Sequence, residues 1–280
     1  MAALDWALPP DMTRYREAST EVVSRDGVLL RAFTTRQGTW RLRTDLEQVE
    51  PRYVDMLLAA EDKHFRSHPG IDPGALLRAA GQWVGHGHIV SGGSTITMQV
   101  ARLLEPHRRS VLGKLHDIVR AAQLEQRYSK DEILGIYLTL APFGGNIEGV
   151  RAASLAYFGK EPARLTDAEA ALLVALPQSP TARRPDRHPE IATHARDRLL
   201  ARLEKAGAFD ATRAREAAEA PVAVIRRPFP FTAPQFAAGL ARHAAPGAHI
   251  AATVDSRIQA HVEDAVRRAT GTLDSNVGVA

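Results

Sequence analysis

Helix-start signals recur along most of this chain, and that recurrence restricts the available folds more than any other feature. Pro51 suits the first position of a helix, after which Val54, Leu57, Leu58 and Glu61 fall on one face. Ser94 or Thr95 is placed to cap a helix running to Leu104. A long helix is expected over 110–128. Ser129 with Glu132, and Thr166 with Glu169, each spell a capping box, in which hydroxyl and carboxylate satisfy each other's free amides at a helix start. Further helices are expected over 73–84, 168–176, 190–205, 211–218 and 256–270. Strand signals are confined to the two ends. Residues 21–25 and 28–34 flank Asp26-Gly27, which favours a tight hairpin turn, a third strand is expected over 39–43, and a short one over 249–254. The expected fold class is mainly α, with a small N-terminal β-hairpin segment.

The breakers divide the rest. Residues 86–93 and 143–149 are glycine-rich and read as loops, and 177–189 holds four prolines and reads as an ordered loop. Residues 221–234, with Pro221, Pro228, Pro230 and Pro234, read as a linker. Three parts follow: a β segment at 1–48, a helical domain at 49–220, and a linker with a further piece at 221–280 that has no evident core to pack on.

Composition removes whole classes of function. At 280 residues the chain can bury about 75% of its unfolded surface. Its 45% hydrophobic and 24% charged residues exclude wholesale disorder. The absence of Cys excludes a disulfide scaffold, a zinc-thiolate site and a thiol nucleophile. No apolar run approaches the roughly 20 residues of a membrane span; the longest is 170–176. The first ten residues carry Asp5 and two prolines but no basic region, so no signal peptide is expected. The net charge of +4 is carried by 31 Arg and only 5 Lys. Codon bias of the source accounts for that excess, and so does an anionic partner, because the guanidinium fork matches phosphate. Nucleic acid is not the expected partner, for want of a motif or interleaved aromatics.

Three clusters carry chemistry. The first is 61–72, where Glu61, Asp62, His64, His68 and Asp72 crowd a helix end. Glu61 follows five wholly apolar residues, 56–60, so its carboxylate is partly desolvated and suited to proton transfer. A solvated helix end with surplus charge is the plainer account. His64 and His68 have the i, i+4 spacing of a metal pair. The helix is expected to stop before Pro69, however, so no metal site is assigned and His68 is expected to hydrogen-bond a carboxylate. In the second cluster Gly92 and Gly93 lead into Ser94, Thr95, Thr97 and Gln99, a helix start whose free amides favour an anion. In the third, Arg102, Arg108, Arg109, Lys114, Arg120, Arg127 and Lys130 outnumber Glu105, Asp117 and Glu125. A positive groove with one inward carboxylate suits a diphosphate; an exposed helix with ordinary charge pairs explains the same residues.

In order and spacing these clusters resemble the glycosyltransferase family 51 domain, the peptidoglycan polymerase module of class A penicillin-binding proteins and monofunctional transglycosylases. The first family motif resembles Glu61-Asp62 with Phe65, His68, Gly70 and Asp72, and the second Gly92-Gly93-Ser94-Thr95-Ile96-Thr97 with Gln99. The third is similar to Lys114, Asp117 and Leu124-Glu125 followed by 127–134, and the fourth to Phe143-Gly144, Gly149, Ala152-Ala153 and 157–160. The fifth resembles Leu165-Thr166 with 169–173 and Leu176-Pro177. The resemblance covers roughly 25–220. Met98 before Gln99, the run 101–107 and the run 141–145 are most similar to the 1C subgroup. The tail 252–259 resembles the start of the family's transpeptidase domain, while no Ser-x-x-Lys or Lys-Thr-Gly occurs. There are departures. Asp117 stands where most members have Glu, Gly113 where a basic residue is common, Arg102 for Lys, and Met98 for Gln.

The resemblance implies a lysozyme-like helical glycosyltransferase domain that polymerises lipid II by inverting transfer, releasing undecaprenyl diphosphate. Glu61 and Asp117 are then the catalytic residues: Glu61 as general base for the attacking sugar hydroxyl, Asp117 to orient a cation or help hold a divalent metal. Asp62, Phe65, His68, Gly93, Ser94, Thr95, Thr97, Gln99, Arg102, Arg109, Lys114, Arg127 and Lys130 would bind the substrate. No tight cofactor is implied, though Mg2+ or Mn2+ can accompany the diphosphate. The implied partners are lipid II, the growing glycan-lipid, moenomycin-type inhibitors, cell-wall synthesis proteins and the membrane surface. Leu76, Leu77, Trp83, Val84 and Ile89 would meet that surface, or pack as an ordinary core. The implied location is the periplasmic face of the bacterial inner membrane, with an anchor preceding Met1. Two other readings stay open: a glycan-cleaving muramidase or lytic transglycosylase, and a decayed, non-catalytic polymerase scaffold. The basic cluster separates the first of these, because a hydrolase of lipid-free glycan has no need of it.

Overall fold

The computed structural model describes residues 9–74, 93–108, 110–222 and 224–270. A short helix, α1 (Thr13–Arg16), leads into β1 (Thr20–Val23), β2 (Leu29–Phe33) and β3 (Trp40–Arg41). The helical body follows as α2 (Pro51–Glu61), α3 (Ile96–Leu104), α4 (Val111–Arg127) and α5 (Lys130–Leu140). Strands β4 (Pro142–Gly144) and β5 (Ile147–Glu148) precede α6 (Val150–Phe158), α7 (Asp167–Ala175), α8 (Pro189–Lys205) and α9 (Ala211–Glu219). The chain ends on α10 (Pro234–Ala241), β6 (His249–Ala251) and α11 (Ser256–Thr270). The architecture is mainly α, as expected.

The capping chemistry is where the sequence puts it. Thr95 rather than Ser94 caps α3, its hydroxyl accepting from the Met98 N–H. Both capping boxes form, at Ser129 with Glu132 and at Thr166 with Glu169. Each satisfies two amides that a helix start otherwise leaves free. Helix α7 is buried from Ala170 to Ala175 on every side, so it is the central helix, and α5 and α6 are buried almost throughout. The main core gathers these with Tyr53, Leu57, Phe65, Ile96, Val100, Leu124, Phe143 and Leu200.

The expected loop at 143–149 is instead a small hairpin. β4 and β5 pair antiparallel, and β3 adds in parallel to give the order β3-β5-β4. Gly149 closes it at φ +86°, and a Cβ there would lie 2.6 Å from the Thr139 carbonyl oxygen, so both conformation and space require glycine. All but the first two residues of the helix expected over 73–84, and most of the loop at 86–93, lie outside the described residues.

The other difference is at the C-terminal end. β6 pairs in parallel with β1, giving a second sheet of order β2-β1-β6. Val22, Leu30, Ala237 and Ala252 form a small second core there. The tail therefore does find packing, on the first strand of the chain. Helix α11 contributes no buried residue to it. Arg151 ties this sheet to the helical body, donating to Glu21 at 2.5 Å and to Glu161 at 2.7 Å. Burial raises the Glu21 carboxyl above its ordinary range despite the Arg151 charge.

Candidate active site

Glu61 ends α2 at the edge of an open cleft of about 670 Å3. The helix before it is buried in the core at Tyr53, Val54, Met56 and Leu57, which fixes the helix and leaves its last side chain at the cleft. Two amides hold that side chain. Gln99 Nε2 donates to Oε2 at 3.1 Å and Gln178 Nε2 to Oε1 at 2.7 Å. Each oxygen accepts from its own donor, so the carboxylate is presented in one orientation as an acceptor. Below it, burial first and the Glu61 charge second raise the Tyr53 and Tyr137 hydroxyls above their ordinary range.

The cleft has two kinds of wall. Gly93, Ser94, Gln99, Arg102, Ser110 and Lys114 give polar groups from the start of α3 to the start of α4. Val111, Leu115 and Ile118 give an apolar face on α4. The stripe continues outside the cleft at Leu112 and Val119, which with Val111 and Leu115 are exposed large aliphatic residues. The start of α4 thus gives the cleft a cation, Lys114, beside bare hydrocarbon.

Behind the cleft lies a dense polar knot. Asp62 is 6% exposed, and its Oδ2 accepts from the Ile96 N–H at 2.8 Å. His68 Nε2 lies 2.9 and 3.0 Å from the two Asp62 oxygens. The Gly70 N–H donates to His68 Nδ1 at 3.1 Å, which leaves the ring proton on Nε2. Thr95 donates to the Gly70 carbonyl at 2.6 Å. Thr97 donates to Glu125 at 2.6 Å, and Lys130 donates to Glu125 at 2.7 Å and to the His68 carbonyl at 2.6 Å. The Lys130 ammonium also lies 4.6 Å from the centre of the buried Phe65 ring. The knot joins the end of α2 to the starts of α3 and α5 and the end of α4.

Asp117 is wholly buried on α4. Its Oδ2 pairs with Arg102 Nη2. Arg102 lines the cleft, so Asp117 acts on the cleft through that guanidinium.

Of the site residues expected from sequence, Glu61, Gly93, Ser94, Gln99, Arg102 and Lys114 come together in the cleft. Asp62, Phe65, His68, Thr95, Thr97 and Lys130 form the knot behind it. Arg127 is the last residue of α4, and Arg109 lies outside the described residues, as do Leu76 to Ile89. His68 bonds a carboxylate as expected, whereas His64 turns to Asp72 at 3.0 Å. Sequence reasoning missed Gln178, Tyr137 and the apolar wall. The apolar spacing of Val111, Leu115 and Ile118 within a charged stretch was the available signal for that wall.

Residues 26–204 match the family described as Transglycosylase. The chain is 42% identical to penicillin-binding protein 1C of Escherichia coli (strain K12) over 90% of this chain and 33% of that protein. It is 37% identical to penicillin-binding protein 1A of Pseudomonas aeruginosa over 72% of this chain and 24% of that one. Penicillin-binding protein 1F of Bacillus subtilis (strain 168) is 34% identical over 70% of this chain and 27% of that protein. The chain thus spans about a third or less of the length of these relatives. A solved structure of penicillin-binding protein 1A from Haemophilus influenzae overlays with a TM-score of 0.44 at 21% identity, over 90% of this chain and 29% of that one.

Proposed function

Because this chain belongs to the transglycosylase family, we propose that its cleft polymerises lipid II into peptidoglycan glycan strands. The observation that carries the reading is Glu61 itself, held by Gln99 and Gln178 at the edge of a cleft that has both cations and an apolar wall. A lipid diphosphate sugar needs all three features. Glu61 takes the proton from the 4-hydroxyl of the acceptor's terminal sugar as that oxygen attacks the donor's anomeric carbon. The new C–O bond forms as the bond to the diphosphate breaks from the opposite face, so the configuration inverts.

The leaving diphosphate gains negative charge as its bond breaks. Arg102 and Lys114 stabilise that charge from the cleft wall. Lys114 has no acidic partner among the described residues, so its charge is free for the substrate. Asp117 is a positioning residue, setting the Arg102 guanidinium from behind. Mg2+ or Mn2+ would arrive with the diphosphate rather than reside in the protein. Val111, Leu112, Leu115 and Val119 offer the prenyl chain or the membrane surface an apolar landing, which supports action at the periplasmic face of the inner membrane. No helix among the described residues is long and apolar enough to cross a membrane.

The test is a gel assay with labelled lipid II in detergent, with and without moenomycin. Glycan ladders that moenomycin suppresses are expected, and Glu61→Gln should lower their formation by about 100-fold or more. Near-normal ladders from a folded Glu61→Gln protein would remove the proposed base. Solubilisation of preformed, lipid-free glycan by the wild type would point instead to a cleaving enzyme.

A further inference from the structure

The second oxygen of Asp117 faces a group of side chains that the proposed transfer reaction does not use. One nitrogen from His107, one from His116 and one oxygen from Asp117 lie within 4.8 Å of one another. Asp117 is 0% exposed, and its Oδ1 has no hydrogen-bond partner among the described residues. His116 Nδ1 is also buried without a partner. A fold rarely leaves two such buried polar atoms without a partner.

The remaining nitrogen of each ring is engaged. His107 Nδ1 lies 3.0 Å from the Glu105 carbonyl oxygen, and His116 Nε2 lies 3.0 Å from the Glu105 carboxylate. An imidazole that donates its second N–H to a carbonyl or carboxylate is fixed in orientation and tautomer, with the first nitrogen free to ligate. His116 Nδ1 is then free, and His107 Nε2 is available to ligate in the tautomer that carries its proton on Nδ1, toward Glu105. His107 Nε2 stands 3.4 Å from Asp117 Oδ1. That is long for a hydrogen bond. It matches the edge of about 3.4 Å between two ligands on a tetrahedral ion with bonds of about 2.0–2.1 Å. The Gly113 carbonyl, 3.0 Å from the same nitrogen, faces this space too. Gly113 also makes the room, since a Cβ there would fall 2.6 Å from His107 Nε2. Access exists through an open depression of about 630 Å3 lined by Glu105, His107, Gly113 and His116.

We propose that His107, His116 and Asp117 bind a divalent transition-metal ion of the Zn2+ type. Two imidazoles and one carboxylate suit a borderline ion better than Mg2+ or Ca2+, which take oxygen ligands. Three protein ligands leave a fourth position to water, and Glu105, held in turn by Arg120 at 3.1 Å, orients the histidine pair. The ion and the Arg102 guanidinium share one carboxylate, so the site abuts the cleft wall through Asp117. It is separate from any ion that travels with a diphosphate, and it stands independently of the lipid II reading.

The test uses the whole 280-residue chain after treatment with a chelator. Zn2+ is titrated by calorimetry, and Co2+ is titrated while its visible d–d bands are recorded. One ion per chain and a four-coordinate Co2+ spectrum that Zn2+ abolishes are expected. The His116 side chain is 40% exposed, so His116→Ala should fold and should weaken Zn2+ binding by about 100-fold, and Glu105→Gln by about 10-fold. His64→Ala and His188→Ala should leave binding unchanged, and circular dichroism establishes that each variant is folded. Failure to bind Zn2+ stoichiometrically, or undiminished binding by both His116→Ala and His107→Ala, overturns the proposal. His107 Nε2 then carries a proton toward the Gly113 carbonyl, and the group is an ordinary polar cluster.

Discussion

Two aspartates are buried at opposite ends of α3, and the fold treats them in opposite ways. Asp62, at the start, accepts from the Ile96 amide and from His68, and neither oxygen is left over. Asp117, near the end, gives one oxygen to Arg102 and leaves the other without a hydrogen-bond partner among the described residues. Burial alone therefore does not tell what a carboxylate is for. Completeness of its hydrogen bonding does: a satisfied group belongs to the frame, and an unsatisfied one is held for a partner the fold does not supply. The same contrast sorts the family motifs, because much of the first two builds the knot and only Glu61, Gly93, Ser94 and Gln99 reach the cleft.

The sharpest way to break this contrast is Asp62→Ala. It leaves a buried amide and a buried imidazole without an acceptor, so a loss of about 2–5 kcal/mol is expected in urea unfolding. A loss below about 1 kcal/mol would mean the knot is not the frame. Gly113→Ala comes next. Its methyl group would collide with His107, and a loss of about 1–3 kcal/mol should appear in the same measurement, together with weakened Zn2+ binding. Asp117→Asn should behave differently from Asp62→Ala. Its stability should stay within about 1 kcal/mol of wild type, while glycan polymerisation falls about tenfold, or ~1.4 kcal/mol in the barrier. Asp117→Glu should recover part of that loss if the residue serves to aim Arg102.

The smallest effect tests the rule on a neutral group. The Tyr53 hydroxyl is also buried without a partner, but it has no charge to offer. Tyr53→Phe should keep activity and gain up to about 1 kcal/mol. It should also change the alkaline limb of the stability curve. The folded chain holds the Tyr53 and Tyr137 protons more tightly than the unfolded chain, whose tyrosines titrate near pH 10. Their contribution is complete below that pH and declines as pH rises above it. Thermal melts between pH 8 and pH 11 should therefore fall less steeply for Tyr53→Phe.

What was legible in the sequence is what is decided locally. Thr95, Ser129 with Glu132, and Thr166 with Glu169 read correctly because a cap is settled within four residues. The cap ambiguity at Ser94 resolved to Thr95 because Asp62, far back in the chain, already fills the amide at Ile96. Long-range partners were not legible. Nothing near residue 249 says that it will lie beside Glu21, and nothing near Gln178 says that it will hold Glu61. The spacing of His107 and His116 matches no common metal motif; only the turn between α3 and α4 brings them together.

The parallel pairing of β6 on β1 has a consequence for anyone shortening this protein. β1 is the middle strand of its sheet, with β2 on one side and β6 on the other. A chain cut at residue 204, where the family match ends, or at 220, loses β6 and turns β1 into an edge. The amides and carbonyls of Thr20–Val23 would then lie open beside the apolar pair Val22 and Val23. Such an edge invites a second molecule to add its own strand. The piece that looks minimal by motif is therefore the piece most prone to aggregate, and β6, from late in the chain, acts as a guard on β1, from its start.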